Sequence, residues 1–151
     1  MPTIKAFRMD GLGNKFVIVD RRKDIVNITK EKIIHLGNLE SFHREIGFDQ
    51  IIFIEREIDK AFPITIFNSD GGEVSACGNG SRCVAYLLGK DLNTKEVKLK
   101  TNNRLLNAKI VGHLDVELAM GKPIFEWNKI PLSKNLDHSN ITLNIEDKVF
   151  A

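Results

Sequence analysis

The sequence is poor in several things at once. Among 151 residues there are two cysteines, one tryptophan and one tyrosine, too few cysteines for a disulfide-stapled scaffold. The opening, MPTIKAFRMDGLGNKF, has no apolar stretch of signal-peptide length, so Cys77 and Cys83 are expected to be free thiols. No run is apolar and long enough to span a membrane as a helix. The 22 basic and 20 acidic side chains are spread along the chain for a net charge of +2, with no basic block or aromatic-basic stripe to suit nucleic acid. The histidines, His35, His43, His113 and His138, lack metal-ligand spacing and are expected to be surface or core fillers, with no metal bound. What these absences leave is a soluble, cytoplasmic protein without a membrane or nucleic-acid partner. Its composition, 42% hydrophobic and 28% charged, is that of a folded globular chain.

Short β-type runs dominate. Thr3 to Arg8 leads through the glycine-rich GLGN to a second run, Lys15 to Asp20. From Thr29, a plausible N-cap, to about His43, residues Ile33, Ile34, Leu36 and Leu39 recur near helical spacing. QIIFIERE and FPITIFN then read as strands rich in β-branched and aromatic residues, and Pro63 places the start of the second at an edge or bulge. A polar loop, NSDGGEVSACGNG, precedes a short apolar helix from about Gly78 to Leu88, with Gly89 as its C-cap. VKLKT, LLNAKIV and LDVELAM follow as strands, Val97 and Leu99 alternating with Lys98 and Lys100. After Met120 the character changes: Gly121, Pro123 and Pro131 break the chain, and only ITLNI remains as a strand candidate. The expected organisation is one α+β domain over residues 1–120 and the opening of a second over 121–151. An apolar helix of this kind needs sheet around several of its sides.

The chemistry concentrates in FNSDGGEVSACGNGSRC. Cys77 falls where a glycine-rich turn enters the helix. The first turn of a helix offers unpaired N–H groups and a partial positive charge, and a thiol placed there can have its pKa lowered towards the reactive thiolate. The N–H groups of Gly78, Asn79 and Gly80 could hold a carboxylate, and the glycines at 78 and 80 would let a ligand approach the backbone. On chemistry alone a small buried cysteine at a helix start is an equally ordinary reading. Neither glycine pair, Gly11 with Gly13 or Gly78 with Gly80, completes a nucleotide-binding motif. Asn14 and Asn68 by themselves are good turn residues.

Three separated motifs change that balance. ACGNGSRC preceded by FNSDG, MDGLGNKFVIVD near the N-terminus, and IGFDQ at positions 46–50 together resemble the first half of diaminopimelate epimerases, in the family's order and spacing. The stretch MGKPIF near position 120 resembles the family's passage into its second domain. The resemblance implies a mixed sheet or pseudo-barrel wrapped around a central helix, with one of two family domains largely present. It implies cofactor-free, PLP-independent epimerisation of LL- and meso-diaminopimelate by two cysteines on opposite faces of the α-carbon, one as thiolate base and one as thiol acid. Carried over by motif, Cys77 would be one of those thiols. Gly78 and Asn79 would offer backbone contacts to the substrate carboxylate, and Asn14, Gln50 and Asn68 would be neutral polar ligands, able to donate and accept.

The chain departs from the pattern in two places. Lys15 stands where the family usually has an acidic residue after GLGN, and the partner cysteine of the second domain is absent. Cys83 does not replace it: six residues along a helix amount to about 9 Å of rise and about 240° of rotation, which turns it towards the core. Arg82 is expected to be structural or solvent-facing. The readings in competition are a half of a split or truncated epimerase, needing a complementing C-terminal half or a second copy, and an inactive remnant that keeps the fold. A proline racemase-like isomerase is a third, against which GLGN and GFDQ count.

Overall fold

Alternating apolar residues build most of the molecule, in a computed structural model that describes residues 4–38, 40–41, 44–45, 47–102, 104–130, 132–137, 139–145 and 148–150. Strand β1 (Ala6–Gly11) turns through Leu12 and Gly13 into β2 (Asn14–Asp20) as an antiparallel hairpin. Helix α1 (Lys30–Gly37) comes next, then the two-residue strands β3 (Glu40–Ser41) and β4 (Arg44–Glu45). The chain continues through β5 (Gln50–Ile54), β6 (Phe62–Asn68) and β7 (Glu73–Val74) into helix α2 (Gly78–Leu92). Strands β8 (Glu96–Lys100), β9 (Leu105–Gly112) and β10 (Asp115–Ala119) complete a compact unit, Met1–Met120. A separate unit, Gly121–Ala151, holds a 3-10 turn at Trp127–Lys129 and a hairpin of β11 (Leu143–Ile145) and β12 (Lys148–Phe150). Among the described residues no helix is long and apolar enough to cross a membrane.

The main sheet runs β1-β2-β5-β6-β8-β9-β10, with β7 paired to β6. It is mixed, β2–β5 and β6–β8 being parallel and the other pairs antiparallel. It curls around α2, which touches β1, β2, β5, β8, β9 and β10, both edge strands included. The strand period of two separates the faces. Phe16, Ile18, Ile52, Ile54, Ile64, Ile66, Leu99 and Leu106 pack with Val84, Ala85 and Leu88 of the helix. Each of these side chains other than Ala85 stabilises the fold by roughly 1.5–3 kcal/mol when fully buried. The residues between them, Val19, Ile51 and Phe53, form a second core with Phe48 and with Ile33 of α1.

Several sequence expectations need correction. Helix α1 does not reach His43 but ends at Asn38, whose backbone N–H bonds back to the Ile34 carbonyl; Leu39, His43, Ile46, Pro131 and His138 lie outside the described residues. Gly89 is not a C-cap. Helix α2 passes through it and stops at Asn93, which takes the left-handed conformation (φ 52°, ψ 45°). The first strand is displaced, running to Gly11 so that only Leu12 and Gly13 form the turn. QIIFIERE is a strand only to Ile54. Pro63 is neither at an edge nor at a bulge: β6 has neighbours on both sides, and the Pro63 carbonyl accepts from the Glu55 N–H at 2.9 Å, so its missing N–H faces β5 just past the end of the ladder at Ile54 and interrupts little. The Thr29 cap, by contrast, is present, its hydroxyl accepting from Lys32 N–H at 3.4 Å.

Candidate active site

Cys77 sets the start of α2. Its backbone is extended (φ −147°, ψ 107°), and its Sγ accepts from the Gly80 N–H at 3.4 Å, the role a Ser, Thr or Asp oxygen fills at most helix N-caps. The sulfur is half-buried and lies on the positive end of the helix dipole. The N–H groups of Gly78 and Asn79, in the first turn, have no intrahelical carbonyl to donate to. Gly78 is open, with only the Met120 side chain near the position a Cβ would take.

Gly80 does something else than foreseen. A Cβ there would lie 2.5 Å from Ile52 Cδ1 and 3.2 Å from Phe16 Cε1, so this glycine brings the helix down onto the sheet and leaves no room for a ligand. Its N–H is also taken by the Cys77 sulfur. Of the three backbone groups expected to face a carboxylate, Gly78 and Asn79 remain.

The polar side chains gather at the same end. Asn14 is the first residue of β2, Gln50 the first of β5 and Asn68 the last of β6. Register places Phe16 opposite Gln50 and Gln50 opposite Asn68. By strand alternation all three amides share the sheet face of Phe16, Ile52 and Ile66, the face α2 covers. Asn79 Nδ2 donates to Asn14 Oδ1 at 2.9 Å, and Gln50 Nε2 donates to Asn68 Oδ1 at 2.9 Å. Gln50 Oε1 is buried with no hydrogen-bond partner among the described residues, an acceptor whose isolation costs about 1–3 kcal/mol until a donor arrives.

Arg82, read from sequence as structural or solvent-facing, donates to Asn79 Oδ1 and so orients the side chain that holds Asn14. Cys83 is buried (7% exposed), and that burial pushes its thiol pKa up. It packs as core; a Cβ on Gly11 would stand 2.9 Å from its sulfur. Sequence reasoning passed over Asp49, inside the IGFDQ motif, although its carboxylate accepts from the Lys15 N–H at 2.8 Å. His35 and His113 are exposed, and among the described residues no group of three or more His, Cys, Asp or Glu could hold a metal ion. Between edge strands β1 and β10 a cleft of about 420 Å³ opens onto α2, lined by Gly11, Asn79, Arg82, Tyr86 and Val116. A larger hollow of about 690 Å³, lined by Lys60, Glu96, Lys98 and Lys109 among others, contains none of the candidate residues.

Against known proteins, residues 6–126 match the family model described as diaminopimelate epimerase. A diaminopimelate epimerase from Pelagibacter ubique is 46% identical over 145 residues, covering 96% of this chain and 52% of the relative. One from Acidiphilium cryptum is 38% identical, covering 90% and 48%. The chain therefore spans about half the length of the curated relatives it matches. Among solved structures, a phenazine biosynthesis PhzC/PhzF protein from Clostridium difficile superposes with a TM-score of 0.56 at 18% identity, over 73% of this chain and 41% of the other. A predicted epimerase from Pseudomonas aeruginosa gives 0.53 at 17% identity, over 73% and 40%. These last two show the fold alone, a mixed sheet curled around one helix.

Proposed function

The chain belongs to the diaminopimelate epimerase family, and from that premise we propose that it carries one half of a two-thiol epimerase site acting on diaminopimelate in lysine and peptidoglycan biosynthesis. The observation that carries the reading is Cys77 at the N-cap of α2, its sulfur held by the Gly80 N–H beside the Asn79–Asn14 amide pair. Substrate carboxylate would bind the N–H groups of Gly78 and Asn79, and its ammonium would supply the donor that Gln50 Oε1 lacks. The Cys77 thiolate then takes the α-proton, leaving the electron pair on a carbanion conjugated to the carboxylate. A second thiol on the opposite face returns a proton to the same carbon with inverted configuration, and in the reverse direction the two exchange roles. An α-proton beside a carboxylate is a poor acid, so fixed N–H donors and a water-poor site are what make the step accessible. No cofactor is called for. The second thiol would come from a complementing C-terminal half; a second copy of this chain would present the same first-half ligands again.

The test is α-proton exchange of LL-diaminopimelate in D₂O with the purified chain and with Cys77→Ala. Deuterium incorporation that depends on Cys77 is expected. If none appears, the chain is to be mixed with a C-terminal epimerase half that carries its own thiol. Activity on mixing establishes a split site, and silence in both assays makes the chain an inactive remnant that keeps the fold.

A further inference from the structure

Three candidate ligands stand on three different strands, and one residue joins the strand ends that carry them. Gly11 and Asn14 face each other across the β1–β2 turn. By the alternation of an antiparallel ladder, Lys15, opposite Asp10, then turns its N–H and C=O away from β1 and towards β5. Asp49 meets both: its N–H donates to the Lys15 carbonyl at 2.9 Å, and its Oδ2 accepts from the Lys15 N–H at 2.8 Å. On its other side the Asp49 carbonyl accepts from the Ser69 N–H at 3.0 Å. Lys15 follows Asn14, Asp49 precedes Gln50, and Ser69 follows Asn68.

We infer that Asp49 is a positioning residue for the site, fixing the spacing of the Asn14, Gln50 and Asn68 amides through their chain neighbours. The inference rests on reading those amides as substrate ligands. The two main-chain bonds would survive any substitution except proline, so the carboxylate is the replaceable part. It closes a ladder position where β5 has no strand residue to offer, β5 beginning only at Gln50. Asp49 is exposed, so water takes over the Lys15 N–H when the carboxylate is removed and overall stability changes little. The geometry of the β2 end loosens instead. Asn keeps an acceptor oxygen at the same reach; Ala has none.

The experiment compares Asp49→Ala and Asp49→Asn in the full chain. It uses hydrogen exchange at Lys15 N–H, the side-chain NH₂ resonances of Asn14, Gln50 and Asn68, and titration with LL-diaminopimelate. For Asp49→Ala we expect Lys15 N–H exchange and the dissociation constant each to rise about tenfold, the usual measure of one hydrogen bond, with all three amide signals displaced. Asp49→Asn should restore them. Should Asp49→Ala fail to fold, Asp49→Glu, which displaces the carboxylate by one methylene, is read by the same criteria. Exposure of Lys15 N–H with all three amide signals at their wild-type positions would overturn the proposal, as would failure of Asn to rescue. A wild-type chain that binds no diaminopimelate counts against the ligand reading, and the amide signals then decide the role of Asp49 by themselves.

Discussion

Two thiols of the same helix differ because of where each points. Cys77 faces the mouth of α2 at its N-cap, whereas Cys83 lies in the core at 7% exposure. Burial disfavours the charged thiolate of Cys83, so its folded pKa stands above the ordinary thiol value. Iodoacetamide at neutral pH is therefore expected to label Cys77 and to leave Cys83 at least about tenfold slower, a gap that vanishes in denaturant. Mass spectrometry of the two peptides checks this; faster labelling of Cys83 would mean that the helix does not sit in the sheet as described. Glycines divide in the same way. Gly78 is open, but Gly80 and Gly89 are places where the helix meets a neighbour at close range, Ile52 Cδ1 in one case and Ile110 Cδ1 with the Thr94 carbonyl in the other.

Among the elements, the β1–β2 turn runs against its own propensity. Leu12 and Gly13 both have positive φ, 52° and 88°, which makes a type I′ turn whose first position favours Asn, Asp or Gly. A leucine held there costs roughly 1–2 kcal/mol, and Leu12 is 83% exposed, so no packing offsets it. Leu12→Asn is expected to stabilise the chain by about 1 kcal/mol, seen as a higher urea midpoint at unchanged slope. An unchanged or lowered midpoint would show that Leu12 is held by contacts the turn alone does not explain. The helices are less conflicted. Helix α1 is capped by Thr29 as its sequence suggests, and it stops where Gly37 lets its last turn close on Ser69, a Cβ there falling 2.8 Å from Ser69 Cβ.

For the molecule as a whole, the end of β2 is tied to the far end of α2 by one cation. The Arg22 guanidinium bonds the Asp20 carboxylate at 2.8 Å and that of Asp91 at 2.7 Å. The hydrogen bond from Arg22 holds both carboxyls below their ordinary range. A carboxyl with a lowered folded pKa binds fewer protons in the native than in the unfolded state as pH falls. Its stabilisation is complete above the unfolded value of 3.8 and is lost as pH drops towards the folded one. Asp20→Asn is expected to cost about 1 kcal/mol at neutral pH and to flatten the loss of stability as pH falls below the unfolded value of 3.8. Urea midpoints across that range decide it; parallel curves for the two proteins would remove Asp20 from the account.

The sequence by itself determined the motifs and most of the longer strands. Val97 and Leu99 alternate with lysines because one face of β8 is buried, and FPITIFN is β6 from end to end. It also brought Cys77 to a helix start, since a polar, glycine-rich run before an apolar one leaves little else for the backbone to do. Chain contacts decided the rest. Gly89 resembles a cap when read along the chain, but α2 runs on to Leu92, and the space a Cβ on Gly89 would need is taken by Ile110 Cδ1 and the Thr94 carbonyl. The apolar spacing of Ile33, Ile34 and Leu36 gives the helix but not its end, which the Asn38 N–H sets by bonding back to the Ile34 carbonyl. Asp49 carries no signal beyond its place in IGFDQ, for its three bonds go to Lys15 and Ser69, residues that become its neighbours only when β2, β5 and β6 lie side by side. Local periodicity reports which face of an element is apolar; which atoms meet across faces depends on pairing between distant segments, and no window of sequence contains that.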